Sequence, residues 1–90
     1  MKTIYKFRLN GENGRTKLLL PKNATLLTVQ MQGDSPCLWV LLETAEKEVE
    51  RDFKIFGTGF DMDELNDQPF SYIGTVQEND FVWHIFEVKP

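Results

Sequence analysis

The sequence is short of the side chains that do chemistry. Among its 90 residues there is one cysteine, Cys37, and one histidine, His84. A single cysteine excludes an intrachain disulfide and fits a reducing compartment. A Cys–His nucleophile pair would need an electropositive, partly exposed thiol. Cys37 instead stands beside Leu38 and Trp39, and His84 shares a strand face with Val82 and Phe86. Both read as packing residues.

Long apolar runs are also missing. The longest, Cys37–Leu42, is far too short to cross a bilayer. Met1-Lys2-Thr3-Ile4-Tyr5-Lys6 has no apolar segment of the kind a secretory leader carries. A cytoplasmic protein with no membrane partner is expected. No segment sustains an apolar period of 3.6, so amphipathic helices are not expected either.

Charge excludes further classes. The net charge is −4 and the sequence pI about 4.9, which argues against general nucleic-acid binding. Asp61, Asp63, Glu64 and Asp67 form an acidic cluster. An EF-hand counted from Asp61 would need an acid or amide fifth and a glycine sixth, where the chain has Leu65 and Asn66. No metal site is expected. Gly57-Thr58-Gly59 lacks the further glycine and the lysine of a phosphate-binding loop, and no helical pattern follows it. No cofactor is expected.

What is present is a well-stocked β sequence. The hydrophobic share is 41% and the aromatic share 12%, enough for a packed globule. The length makes one domain, residues 1–90, burying roughly 60% of the unfolded chain's surface. Thr3–Leu9 alternates Ile4/Lys6/Arg8 against Tyr5/Phe7/Leu9, and the two Asn-Gly pairs in Asn10–Gly14 predict a hairpin into Arg15–Pro21. A turn at Lys22-Asn23-Ala24 leads to a third strand, Thr25–Gln32. Cys37–Leu42 is apolar on both faces and should be a central, doubly buried strand. Thr44–Arg51 has helix formers, yet Val49/Arg51/Phe53/Ile55 alternates against Glu48/Glu50/Asp52/Lys54 and favours a strand. Asp61–Gln68 reads as a loop with one helical turn, and Phe70–Gln77 with Phe81–Val88 as a last hairpin. The expected fold is all-β: a small antiparallel sandwich or partly open barrel of about seven strands.

The charges are unevenly placed. Residues 1–30 hold six basic side chains and one acid, for +5, whereas residues 31–90 hold four basic and thirteen acidic side chains, for −9. The simplest account packs a basic hairpin against an acidic remainder. The other docks one subunit's basic surface on another's acidic surface. Small size and these complementary halves together predict a homo-oligomer, most simply a two-fold dimer.

One segment stands out as a candidate site. In Arg51–Asp61 a strand-like run breaks into Gly57-Thr58-Gly59 with Phe56 and Phe60 on either side. Glycines let backbone amides approach a ligand closely, and aromatics add stacking faces. With Arg51 or Lys54 nearby, the turn has the parts to hold a phosphate and a base. A strand-ending turn or bulge is the structural alternative.

The fragments Pro36-Cys37-Leu38-Trp39, Phe53–Gly59, Tyr72–Gln77 and Val82–Glu87, with the opening Met1–Lys6 and Leu20-Pro21-Lys22, make the chain similar to a family of small uncharacterised proteins encoded by bacteriophages and prophages. The resemblance spans nearly the whole chain. It implies no catalytic residue, because that family has no assigned chemistry. It does imply a setting, that of a phage accessory protein in the bacterial cytoplasm. The function expected from that setting is non-catalytic binding that counteracts host defence by sequestering a nucleotide-type signal. Two rivals are an inhibitor that caps a host protein through an aromatic patch or sheet edge, and a structural or assembly protein of the virion.

Overall fold

In the computed structural model, which describes all of residues 1–90, the period-2 segments form seven strands. They are β1 (Lys2–Arg8), β2 (Arg15–Pro21), β3 (Thr25–Gln32), β4 (Ser35–Glu43), β5 (Glu48–Gly57), β6 (Phe70–Glu78) and β7 (Phe81–Val88). All pair antiparallel, in a three-stranded sheet β1-β4-β3 and a four-stranded sheet β2-β5-β7-β6. There is no α-helix. Single 3₁₀ turns stand at Glu12–Gly14 and Asp63–Leu65, the second inside the segment expected to be a loop with one helical turn. No helix is long and apolar enough to cross a membrane.

The sheets meet face to face because each strand turns one set of alternating side chains inward. Leu38, Val40 and Leu42 of β4 are buried against Leu20, Phe53, Ile85, Val29 and Val76. β4 is thus the central strand of its sheet, as its composition predicts. Its second face is only partly covered, with Cys37 buried but Trp39 and Leu41 half-buried. Where β6 crosses β3, a Cβ on Gly74 would stand 2.6 Å from Val29 Cγ1, so only glycine admits that approach.

The expected hairpin between the first two strands does not form. β1 pairs with β4 and β2 with β5, so the chain changes sheets between them. The physical reason lies at Leu9, which is buried and donates its N–H to the Pro36 carbonyl at 2.9 Å. That anchor carries the chain across the end of the sandwich before Asn13 and Gly14 turn it, both at positive φ. The basic first third is therefore split. Arg15 and Lys17 on β2 pair with Asp52 and Glu50 of β5, whereas Lys2, Lys6 and Arg8 on β1 have no carboxylate partner.

Candidate binding site at the loop end

The strand order brings three connections, residues 9–14, 33–34 and 79–80, to one end of the sandwich together with the start of a fourth, 58–69, which then crosses to the far end, where Phe70 of β6 pairs with Val88. The Gly-Thr-Gly segment lies here. Phe60 N–H donates to the Gly57 carbonyl at 3.0 Å, and Gly59, third of the four residues, has φ +88°. This is a type II turn, whose third position favours glycine. Thr58 N–H is also taken, by the Val82 carbonyl at 3.2 Å. At Gly57 a Cβ would meet the Phe60 ring at 2.8 Å, so the glycine lets that ring fold back onto the backbone.

Phe56 and Phe60 part company. Phe56 is buried on the outer face of the four-stranded sheet, where Leu65 and Met62 fold over it and it meets Phe86 edge-on at 6.0 Å. Phe60 lies at the loop end, edge-on to Trp83 at 5.9 Å, while Phe81 stacks on Trp83 at 5.7 Å and 13°. Trp83 is brought here by its pairing with Gly57 across β5 and β7. Phe60 remains 58% exposed and Phe81 61%.

Beside this array is a cleft of about 460 Å³ lined by Pro36, Ile55, Phe60 and Trp83, with Asp34, Asp61, Glu64 and Glu78 on its walls. Its one cation, Lys54, is committed: its ammonium lies 3.1 Å from Glu64 and 5.6 Å above the Phe56 ring. Asp34, Asp61 and Glu78 have no cation within salt-bridge distance; their nearest polar partners are the Ser35 hydroxyl, the Asp63 N–H and the Trp83 indole N–H. The field at the loop end is therefore negative.

Arg51 does not join the turn. It stands about 20 Å along β5 from Gly57 at strand rise and points into the sandwich. Its guanidinium makes two bonds to Glu87, at 2.6 and 2.8 Å, and a third to the Ala24 carbonyl at 2.8 Å. Hydrogen bonding to Arg51 holds the Glu87 carboxyl below the usual carboxylate range, against the opposing effect of burial, and raises Arg51 in turn. Of the predicted site residues, the structure gathers Gly57, Thr58, Gly59 and Phe60 at the loop end. It sets Phe56 and Lys54 under the 58–69 segment and Arg51 at the far end. Trp83, Phe81, Glu78 and Asp34 were not among the sequence candidates. The signal for them was the pair of further turns, Gly33-Asp34 and Asn79-Asp80, that must share an end with Gly57.

Cys37 and His84 lie on different sheets. His84 faces outward, its Nε2 2.7 Å from Thr58 Oγ1 and its Nδ1 3.0 Å from Thr75 Oγ1, which in turn bonds the Tyr72 hydroxyl at 2.6 Å. Both ring nitrogens are thus occupied by hydroxyls, and the ring pins β6 and β7 to the Gly-Thr-Gly turn. No curated protein and no solved structure matches the chain. The profile of a family described as "Domain of unknown function (DUF7352)" matches residues 1–90, and the chain belongs to that family over its whole length.

Proposed function

We propose that this is a non-catalytic binding protein that engages a partner protein through the aromatic loop end, acting as a phage accessory protein in the bacterial cytoplasm. The observation that carries the reading is the Phe60–Trp83–Phe81 array. Large aromatic area is left in solvent on a rigid turn, next to carboxylates without cations. Aromatics anchor protein interfaces, and a negative rim beside ring faces favours lysine or arginine on the partner. The setting comes from the resemblance to phage-encoded proteins alone.

The nucleotide form of the reading has less behind it. Phosphate capture at the turn has little to draw on, because the Thr58 and Phe60 N–H groups are bonded within the fold, Lys54 is paired and Arg51 faces inward. Assembly into a homo-oligomer belongs to the same proposal, and light scattering at low and raised salt measures it.

The test is affinity capture from a bacterial host lysate with the native protein and with Phe60→Ala, followed by titration of the captured protein after purification. Loss of one defined protein with Phe60→Ala is expected, with weaker binding at raised salt. Equal capture by the variant, or a saturable thermal shift with nucleotides in its place, would contradict it.

A further inference from the structure

We propose that the free edge of β1 accepts, by strand addition, an extended segment of a partner protein whose side chains alternate acidic and apolar. This surface is separate from the loop-end array and does not depend on it.

The backbone comes first. Leu9 N–H bonds to Pro36 and Thr44 N–H to the Met1 carbonyl, so the odd-numbered residues of β1 face β4. The N–H and C=O groups of Lys2, Ile4, Lys6 and Arg8 therefore point to the open edge. No ladder joins this edge to β2. Between them runs a groove of about 500 Å³ whose apolar lining is Tyr5, Phe7, Leu19 and Leu42, with Glu46 and Glu48 also on its walls. Of these, Tyr5 is 46% exposed and Leu19 60%.

Side chains then select the occupant. A strand added to β1 sets alternate residues on opposite faces. One set would enter the groove against Tyr5 and Phe7 and should be apolar. The other would stand beside Lys2, Lys6 and Arg8, none of which has a carboxylate partner although the Lys6 ammonium bonds the Gln32 side-chain oxygen, and should be acidic. Glu43, the acid paired opposite Lys2, is already held by the Met1 ammonium. Lysines on an edge protect against self-pairing, and the same charges exclude a second copy here. An antiparallel β1–β1 contact centred on Tyr5 would oppose Lys2 to Arg8 across the two-fold. A merely protected edge has no need of Tyr5 and Leu19 in solvent beside the groove, and an acidic, apolar-alternating strand covers them while its acids meet the cations of the other face.

The probe is a capped peptide of about eight residues alternating glutamate and valine, a common strand length, with a control in which lysine replaces glutamate. Titration should slow exchange of the Ile4, Lys6 and Arg8 amides by roughly tenfold or more at saturation, and the control should not bind. Ile4→Pro, which removes one free-edge N–H while leaving the β4 ladder whole, should abolish the effect. The doubly reversed Lys6→Glu, Arg8→Glu chain should bind roughly tenfold more weakly or worse, a readout that stands even if the proline variant fails to fold. Equal binding of the lysine peptide, protection confined to another edge, or no protection at millimolar peptide would each overturn the proposal.

Discussion

The two ends of the sandwich use charge in opposite ways. At the far end Arg51, Glu87, Lys89 and the Ala24 carbonyl form one closed network in which every charged group has a partner. At the loop end Asp34, Asp61 and Glu78 have no cation, and they stand beside Phe60, Trp83 and Phe81. A buried ion held by several bonds is a cost the fold has already met, and removing one partner exposes that cost. Carboxylates in solvent contribute little to stability. The contrast separates charge that serves folding from charge available to a partner.

The largest expected effect is at the closed end. Arg51→Ala leaves Glu87, whose side chain is 7% exposed, without its main partner. Breaking such a pair costs about 3 kcal/mol, the lower end of the range for buried ion pairs because the Arg51 side chain is 21% exposed. The thermal midpoint should fall by more than about 10 °C in a domain of this size.

Acid should act on the same network. Glu87 titrates lower in the fold than in the unfolded chain, so the unfolded state takes up protons first as pH falls. The stability it supplies is complete above the ordinary carboxylate value and is lost as pH drops through the folded value. Denaturant midpoints measured from neutral pH into that acid range should fall, and more shallowly in Glu87→Gln, which starts less stable.

Smaller effects belong to the loop end. A Cβ added at Gly59 would meet nothing within 4 Å, so Gly59→Ala loses only what its φ of +88° demands, about 1 kcal/mol. Asp34→Asn removes an exposed charge whose one polar partner is the Ser35 hydroxyl and should change stability by less than about 0.5 kcal/mol. Urea midpoints at constant m-value separate the two.

Much of the strand pattern was legible, and the reason is local. Turn signals at Asn23, Gly33-Asp34 and Asn79-Asp80 bound the runs, so β3 and β7 begin and end where the sequence predicts, even though a bulge between Leu26 and Thr28 interrupts the alternation of β3. Pairing was less legible, because Asn-Gly chemistry specifies a turn and not the sheet it serves. Leu9 decided that question through a bond to Pro36, far along the chain. The inward place of Arg51 could be read from its alternation with Val49, Phe53 and Ile55. Its partner Glu87 could be read in the same way from Trp83 and Ile85. Proximity in sequence to Gly57 obscured both. The Phe60–Trp83 contact depends on the β5–β7 register, which no short segment encodes.

Measuring the thermal midpoint and partner binding of Arg51→Ala and Phe60→Ala side by side tests the division between the two ends most directly. The account predicts that Arg51→Ala melts far earlier yet binds normally below its transition. Phe60→Ala should keep its midpoint within a few degrees, a change of about 1 kcal/mol or less, and lose binding. A Phe60→Ala protein that melts early and still binds its partner would contradict the account and make the aromatic end part of the scaffold.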